Sequence, residues 1–111
     1  MALPKNTLIL QFLTQWNPDL DLDQLHEFET ALEQGLFQSR SGTVDGHDWG
    51  ANGANVFLLP SGSSAWPSID VVKAHLKRRS LLDKCIIVKR YKSERYEVVW
   101  PENYTGEFER T

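Results

Sequence analysis

Apolar residues recur along this chain with two periods, and the change from one to the other divides it into seven elements. In Thr7 to Leu13 (TLILQFL), Leu8, Leu10 and Phe12 fall on one face of an extended strand and Ile9 and Leu13 on the other. With both faces apolar, the run predicts a central strand. Trp16-Asn17-Pro18-Asp19 ends it, because proline lacks a backbone donor and pushes the residue before it out of helical geometry. From Leu22 to Gln34 the spacing becomes three and four: Leu25, Phe28 and Leu32, with Ala31 beside them, form one stripe of a helix, while Glu27, Glu29 and Glu33 fall elsewhere. Asp21 suits the cap, Asp19 and Asp23 the positive end of the dipole, and Gly35 the left-handed residue that ends the helix.

The next stretch, Ser41 to Leu59 (SGTVDGHDWGANGANVFLL), holds four of the seven glycines and predicts two strands about a turn, with Val56 to Leu59 buried in the second. Pro60 to Ser64 reads as a loop. Trp66-Pro67 opens a second helix whose apolar positions are Ile69, Val72 and Leu76, and Lys77, Arg78 and Arg79 suit its negative end. Cys85 to Tyr91 and Arg95 to Trp100 then alternate into two strands joined by Lys92-Ser93-Glu94. Pro101 closes the last strand, and residues 102–111, with little to bury beyond Tyr104 and Phe108, read as an extended tail.

Strand, helix, strand, strand, helix, strand, strand predicts an α+β fold. It is the ferredoxin-like split βαββαβ arrangement, an antiparallel sheet with two helices on one face, with an additional C-terminal edge strand. Apolar residues on the other face would suit dimerisation.

Length and composition narrow the class. A chain of 111 residues supports one two-layer core, so residues 1–111 are read as a single domain. No apolar run approaches a membrane span, and the amino-terminal run is interrupted by Gln11 and Thr14 with no small-residue cleavage site after it, which favours a strand over a secretory leader. The single cysteine, Cys85, lies in the apolar context CIIV, as expected of a buried thiol in a reducing cytoplasm. The net charge of -3 is uneven: two basic against nine acidic residues up to Val72 give -7, and ten against six from Lys73 onward give +4. Such a division bears on encounter with partners rather than on fold.

Candidate chemistry concentrates in the Gly-rich hairpin, where Asp45, His47, Asp48, Trp49, Asn52 and Asn55 surround the turn. On an extended strand Asp45 and His47 share a face and Asp48 points away, so a metal would need a distant further ligand, with only His26 or His75 available. Turn chemistry explains the same Asp and Gly residues, and the expectation is no metal and no cofactor. Gly46, Gly50 and Gly53 fit neither a Walker nor a dinucleotide fingerprint, and no nucleophile elbow would activate Ser41 or Ser64 beside His47. Lys89, Arg90, Lys92 and Arg95 interleave with Tyr91, Tyr96 and Trp100, but the glycine-aromatic signature of RNA-binding domains is missing and the net charge is negative, which argues against nucleic acid.

The expectation that remains is a cytoplasmic protein-binding module, of inhibitor or immunity type if it covers a basic partner, or a self-associating one. Trp49 and Trp66 would supply apolar area, Asp45 and Asp48 charge, and Asn52 and Asn55 hydrogen bonds. The competing expectation is a small enzyme or a metal or ligand site built on Asp45, His47 and Asp48.

Two segments, VDGHDWGANGANVFLL and RYEVVWP, resemble a family of small single-domain bacterial proteins of unknown function. In these a Val-Asp-Gly turn leads through a second glycine to an Asn-containing strand, a helix follows, and a Tyr-x-Val-x-Trp-Pro strand closes the domain. The resemblance spans roughly Leu25 to Pro101. It implies an α+β fold with these boundaries and supplies no catalytic residue. Where the relatives carry acidic residues before the proline of the second helix, this chain has Ser61, Gly62, Ser63 and Ser64.

Overall fold

The computed structural model describes residues 7–62, 64–91 and 95–102. Its elements are β1 (Thr7–Leu13), α1 (Leu22–Ser39), β2 (Gly42–Gly50), β3 (Gly53–Pro60), α2 (Trp66–Arg78), a 3-10 turn at Leu82–Lys84, β4 (Ile86–Arg90) and β5 (Tyr96–Trp100). The strands form one sheet in the order β2-β3-β1-β4-β5, with every neighbouring pair antiparallel. Among the described residues this is an α+β architecture of five strands and two helices. The polar link Lys92 to Glu94 and the tail from residue 103 lie outside the described residues.

β1 is central, as its two apolar faces require. Leu8, Leu10 and Phe12 enter the main core with Ala54, Val56 and Leu58 of β3 and the buried stripes of both helices. Ile9 packs on the opposite face with Ile86 and Val88, flanked by Leu13, Trp16, Phe57 and Val98. Ile9, Ile86 and Val88 are fully buried, so the second face carries a small core of its own.

At the start of α1 the Gln24 backbone N–H donates to Asp21 Oδ1 at 2.8 Å, and the Asp21 N–H donates to Gln24 Oε1 at 3.0 Å, a reciprocal cap. The helix does not end at Gly35. Its buried stripe Leu25, Phe28, Leu32 continues to Leu36, and the chain turns at Arg40, whose φ of 55° is left-handed. Gly35 lies inside the helix against the His75 ring of α2, where an added methyl would overlap Nε2 and stand 3.3 Å from Cδ2 and Cε1. The missing side chain therefore serves helix approach rather than helix termination. Arg79 closes the same pair of helices with a forked contact to Glu27, at 3.1 and 2.7 Å. Glu27 is exposed and Arg79 only partly buried, so this adds little stability.

α2 begins at Trp66 with Pro67 in its first turn and buries Ser68, Ile69, Val72 and Leu76. Ser68 Oγ donates to the Ser41 carbonyl, joining α2 to the chain that enters β2. Trp100 turns into the main core from β5, and its Nε1 donates to the Leu82 carbonyl at 2.7 Å. Cys85 is fully buried; its environment pushes the thiol far above its ordinary range and leaves it inert.

Candidate functional site

The β2–β3 hairpin forms one edge of the sheet, and a bulge decides what its residues face. Val44 pairs with Leu58 and Gly46 with Phe57, so Asp45 is the extra residue, and Gly46 beside it has φ of 144°. Beyond the bulge His47 pairs with Val56 and Trp49 with Ala54, both on the helix side, whereas Asp48 pairs with Asn55 on the other. Val44 and His47 thus face the helices although they are three residues apart. A period-two reading cannot give that result.

The bulge turns His47 onto α1. His47 Nδ1 lies 2.7 Å from Glu29 Oε1, and the His26 and His47 rings are 5.2 Å apart between centroids. His26 and Glu29 are one helical turn apart and share a face. One ligand atom from each of His26, Glu29 and His47 lies within 4.8 Å of the others, the one such grouping of three among the described residues. The short contact is not a well-aligned hydrogen bond: Glu29 Oε1 is buried and has no directed donor.

Asp48 belongs to a different structure. Gln11 Nε2 donates to Asn55 Oδ1 at 3.2 Å, and Asn55 Nδ2 donates to Asp48 Oδ1 at 2.9 Å, a polar ladder across β1, β3 and β2. Asn55 is fully buried and Gln11 nearly so. The Asn55 amide is therefore engaged by the sheet and presents no surface to a partner. Asp45, His47 and Asp48 do not converge, because Asp45 sits in the bulge and the other two project from opposite faces.

The hairpin tip is built by close backbone approach. Gly53 has φ of 150° and presses on the Phe12 carbonyl, where a side chain would collide. The Asn52 carbonyl accepts from the Thr14 N–H at 3.0 Å, so the turn is fastened to the end of β1. Beside it Trp49 is 48% exposed. Trp49 lines a shallow cleft of about 330 Å³ with Phe12, Pro18, Leu20 and Ala51. Trp66 is also exposed but does not join this site. Ser68, two residues on, contacts Ser41 just before β2, at the end of that strand opposite Trp49, and Trp66 does not line the hairpin cleft.

On the far edge of the sheet, the Lys89 ammonium and the Arg95 guanidinium stack on Tyr91 at 5.0 and 4.3 Å. Tyr91 donates from its hydroxyl to Glu97 at 3.0 Å.

Sequence reasoning named His26 only as a possible distant ligand for the β2 residues, and it missed Glu29. Their His-x-x-Glu spacing on a predicted helix was a readable signal, but the strand they meet was not. Comparison with protein-family models, with curated proteins and with solved structures gave no match to this chain. Its function has to be argued from these contacts.

Proposed function

We propose that this chain is a protein-binding module that docks through the tip of the β2–β3 hairpin. One observation carries the reading: Trp49, a large apolar side chain, stands half exposed on the wall of a cleft at a hairpin tip that the backbone contacts of Gly53 and Asn52 fasten to the end of β1. A rigid aromatic beside a preformed cleft loses little entropy on binding, and tryptophan is enriched among residues that dominate interfaces. Exposed Asp19 adjoins the Pro18 and Leu20 wall of the cleft, and Asp45 lies exposed at the bulge. The fitting partner is a polypeptide that offers an apolar side chain flanked by basic groups, in keeping with an inhibitor or immunity-type role.

The strand order β2-β3-β1-β4, with a helix after β1 and another after β3, supports reading the fold as ferredoxin-like, with β5 added at the edge. Kinship with the small bacterial proteins of the Val-Asp-Gly and Tyr-x-Val-x-Trp-Pro pattern belongs to the same proposal. Val44-Asp45-Gly46 at the bulge and Tyr96 to Pro101 in and after β5 support it. A cytoplasmic setting is supported by the buried free thiol of Cys85.

The test is affinity capture from the native host with the wild-type chain, Trp49→Ala and Trp66→Ala, each checked for folding by circular dichroism. Retention of a stoichiometric polypeptide by the wild type and Trp66→Ala, and its loss from Trp49→Ala, is expected. Equal retention by all three would refute docking at the hairpin tip.

A further inference from the structure

Glu29 Oε1 poses a specific physical problem. It is a buried carboxylate oxygen with no aligned donor, and leaving such a group unsatisfied is costly. It also faces two imidazoles, His47 at 2.7 Å and His26 beside it, on a patch of α1 and β2 where both histidines remain open to solvent. A cation seated among the three would satisfy the oxygen and use the lone pairs of both rings.

We propose that His26, Glu29 and His47 bind one divalent transition-metal ion, with Zn²⁺ the best fit. Two imidazole nitrogens and one carboxylate oxygen are borderline donors, well matched to zinc and poorly matched to magnesium or calcium, which take all-oxygen shells. Ligand atoms within 4.8 Å of one another approach what a tetrahedral ion needs. With bonds of about 2.0–2.2 Å the ligands stand about 3.3 Å apart, so His26 closes in and the His47–Glu29 contact opens slightly. His26 and His47, both exposed, can make such adjustments by rotamer changes. Three protein ligands leave a fourth position, which opens to solvent on the exposed side of the histidines.

The ion would tie α1 to the bulged edge strand through a site the sequence does not announce. Its ligands are two residues on a helix and one on a strand, and the bulge at Asp45 is what turns His47 toward them. The proposal does not rest on docking through Trp49, because none of the three ligands lines the hairpin cleft.

The test is calorimetric titration of the full chain with Zn²⁺, together with Co²⁺ absorption, whose visible bands report four-coordinate geometry. One ion per chain is expected, with a Co²⁺ spectrum of tetrahedral type. His26→Ala, His47→Ala and Glu29→Gln each remove one of the three ligands and should each weaken binding at least tenfold. His75→Gln, on the remaining histidine, should leave it unchanged. His26 is exposed on a helix surface, so its variant will fold and keeps the test decisive. Absence of binding at equimolar ion, or binding that survives His26→Ala and His47→Ala, would overturn the site. A loss in Asp45→Asn as large as that in His26→Ala would equally overturn it, in favour of the ligand set on β2 alone.

Discussion

Replacing Gly35 by alanine tests how the two helices meet. Alanine is favoured over glycine inside a helix by roughly 1 kcal/mol, so at an open position of α1 the substitution should stabilise. At Gly35 the new methyl overlaps Nε2 of His75 and stands 3.3 Å from two ring carbons. The ring's Nδ1 is buried, and any retreat must be into the cleft that it lines beside Gly35. Overpacking of this kind costs typically about 1–3 kcal/mol, so Gly35→Ala should destabilise the wild type by about 0–2 kcal/mol after the helix gain. In a His75→Ala background the obstacle is gone, and the same substitution should stabilise by about 1 kcal/mol. Urea unfolding of the four proteins in the cycle measures both effects and their coupling. If Gly35→Ala stabilises both backgrounds equally, α2 does not approach α1 at this position and the packing described here is wrong.

Other expectations follow from single contacts. Phe28 is buried and meets Phe12 edge to face with ring centroids 5.7 Å apart, so Phe28→Ala should cost about 3–5 kcal/mol in urea unfolding. Asn55→Ala removes the middle of the Gln11–Asn55–Asp48 ladder and should cost about 1–3 kcal/mol by the same assay, since its neighbours lose their partner in a buried setting. Burial, and then the nearby charges of Arg78 and Arg79, hold the His75 pKa below its ordinary value of 6.5. Protonation of His75 therefore favours the unfolded chain: its contribution to stability is complete above about pH 6.5 and is lost as pH falls below it. Urea midpoints at neutral and mildly acidic pH should show a smaller acid loss in His75→Gln than in the wild type. An unchanged loss would remove His75 as its source.

The legible parts of the fold were those fixed by local periodicity. β1 and its central place followed from apolar residues on both faces, and the starts of both helices from Asp21 and from Trp66-Pro67. The end of α1 was misread because glycine has two uses that look alike in sequence. It can adopt a left-handed cap, or it can let another backbone or ring come close; only the position of His75 decides between them. The candidate site failed to be legible for a similar reason. Alternation along a strand predicts faces only while pairing is unbroken, and the bulge at Asp45 shifts the phase for His47, Asp48 and Trp49. His26 and Glu29 lie some twenty residues before His47, and no local pattern brings them to it.

Docking at the hairpin tip is tested most directly by photo-crosslinking in the native host. A photoreactive residue at Ala51, exposed in the turn beside Trp49, should yield a discrete adduct with another polypeptide. The adduct should be absent when Trp49→Ala is added, and absent when the photoreactive residue is placed instead at exposed Asp83 beyond α2. No adduct at position 51, or one indifferent to Trp49→Ala, would contradict the account.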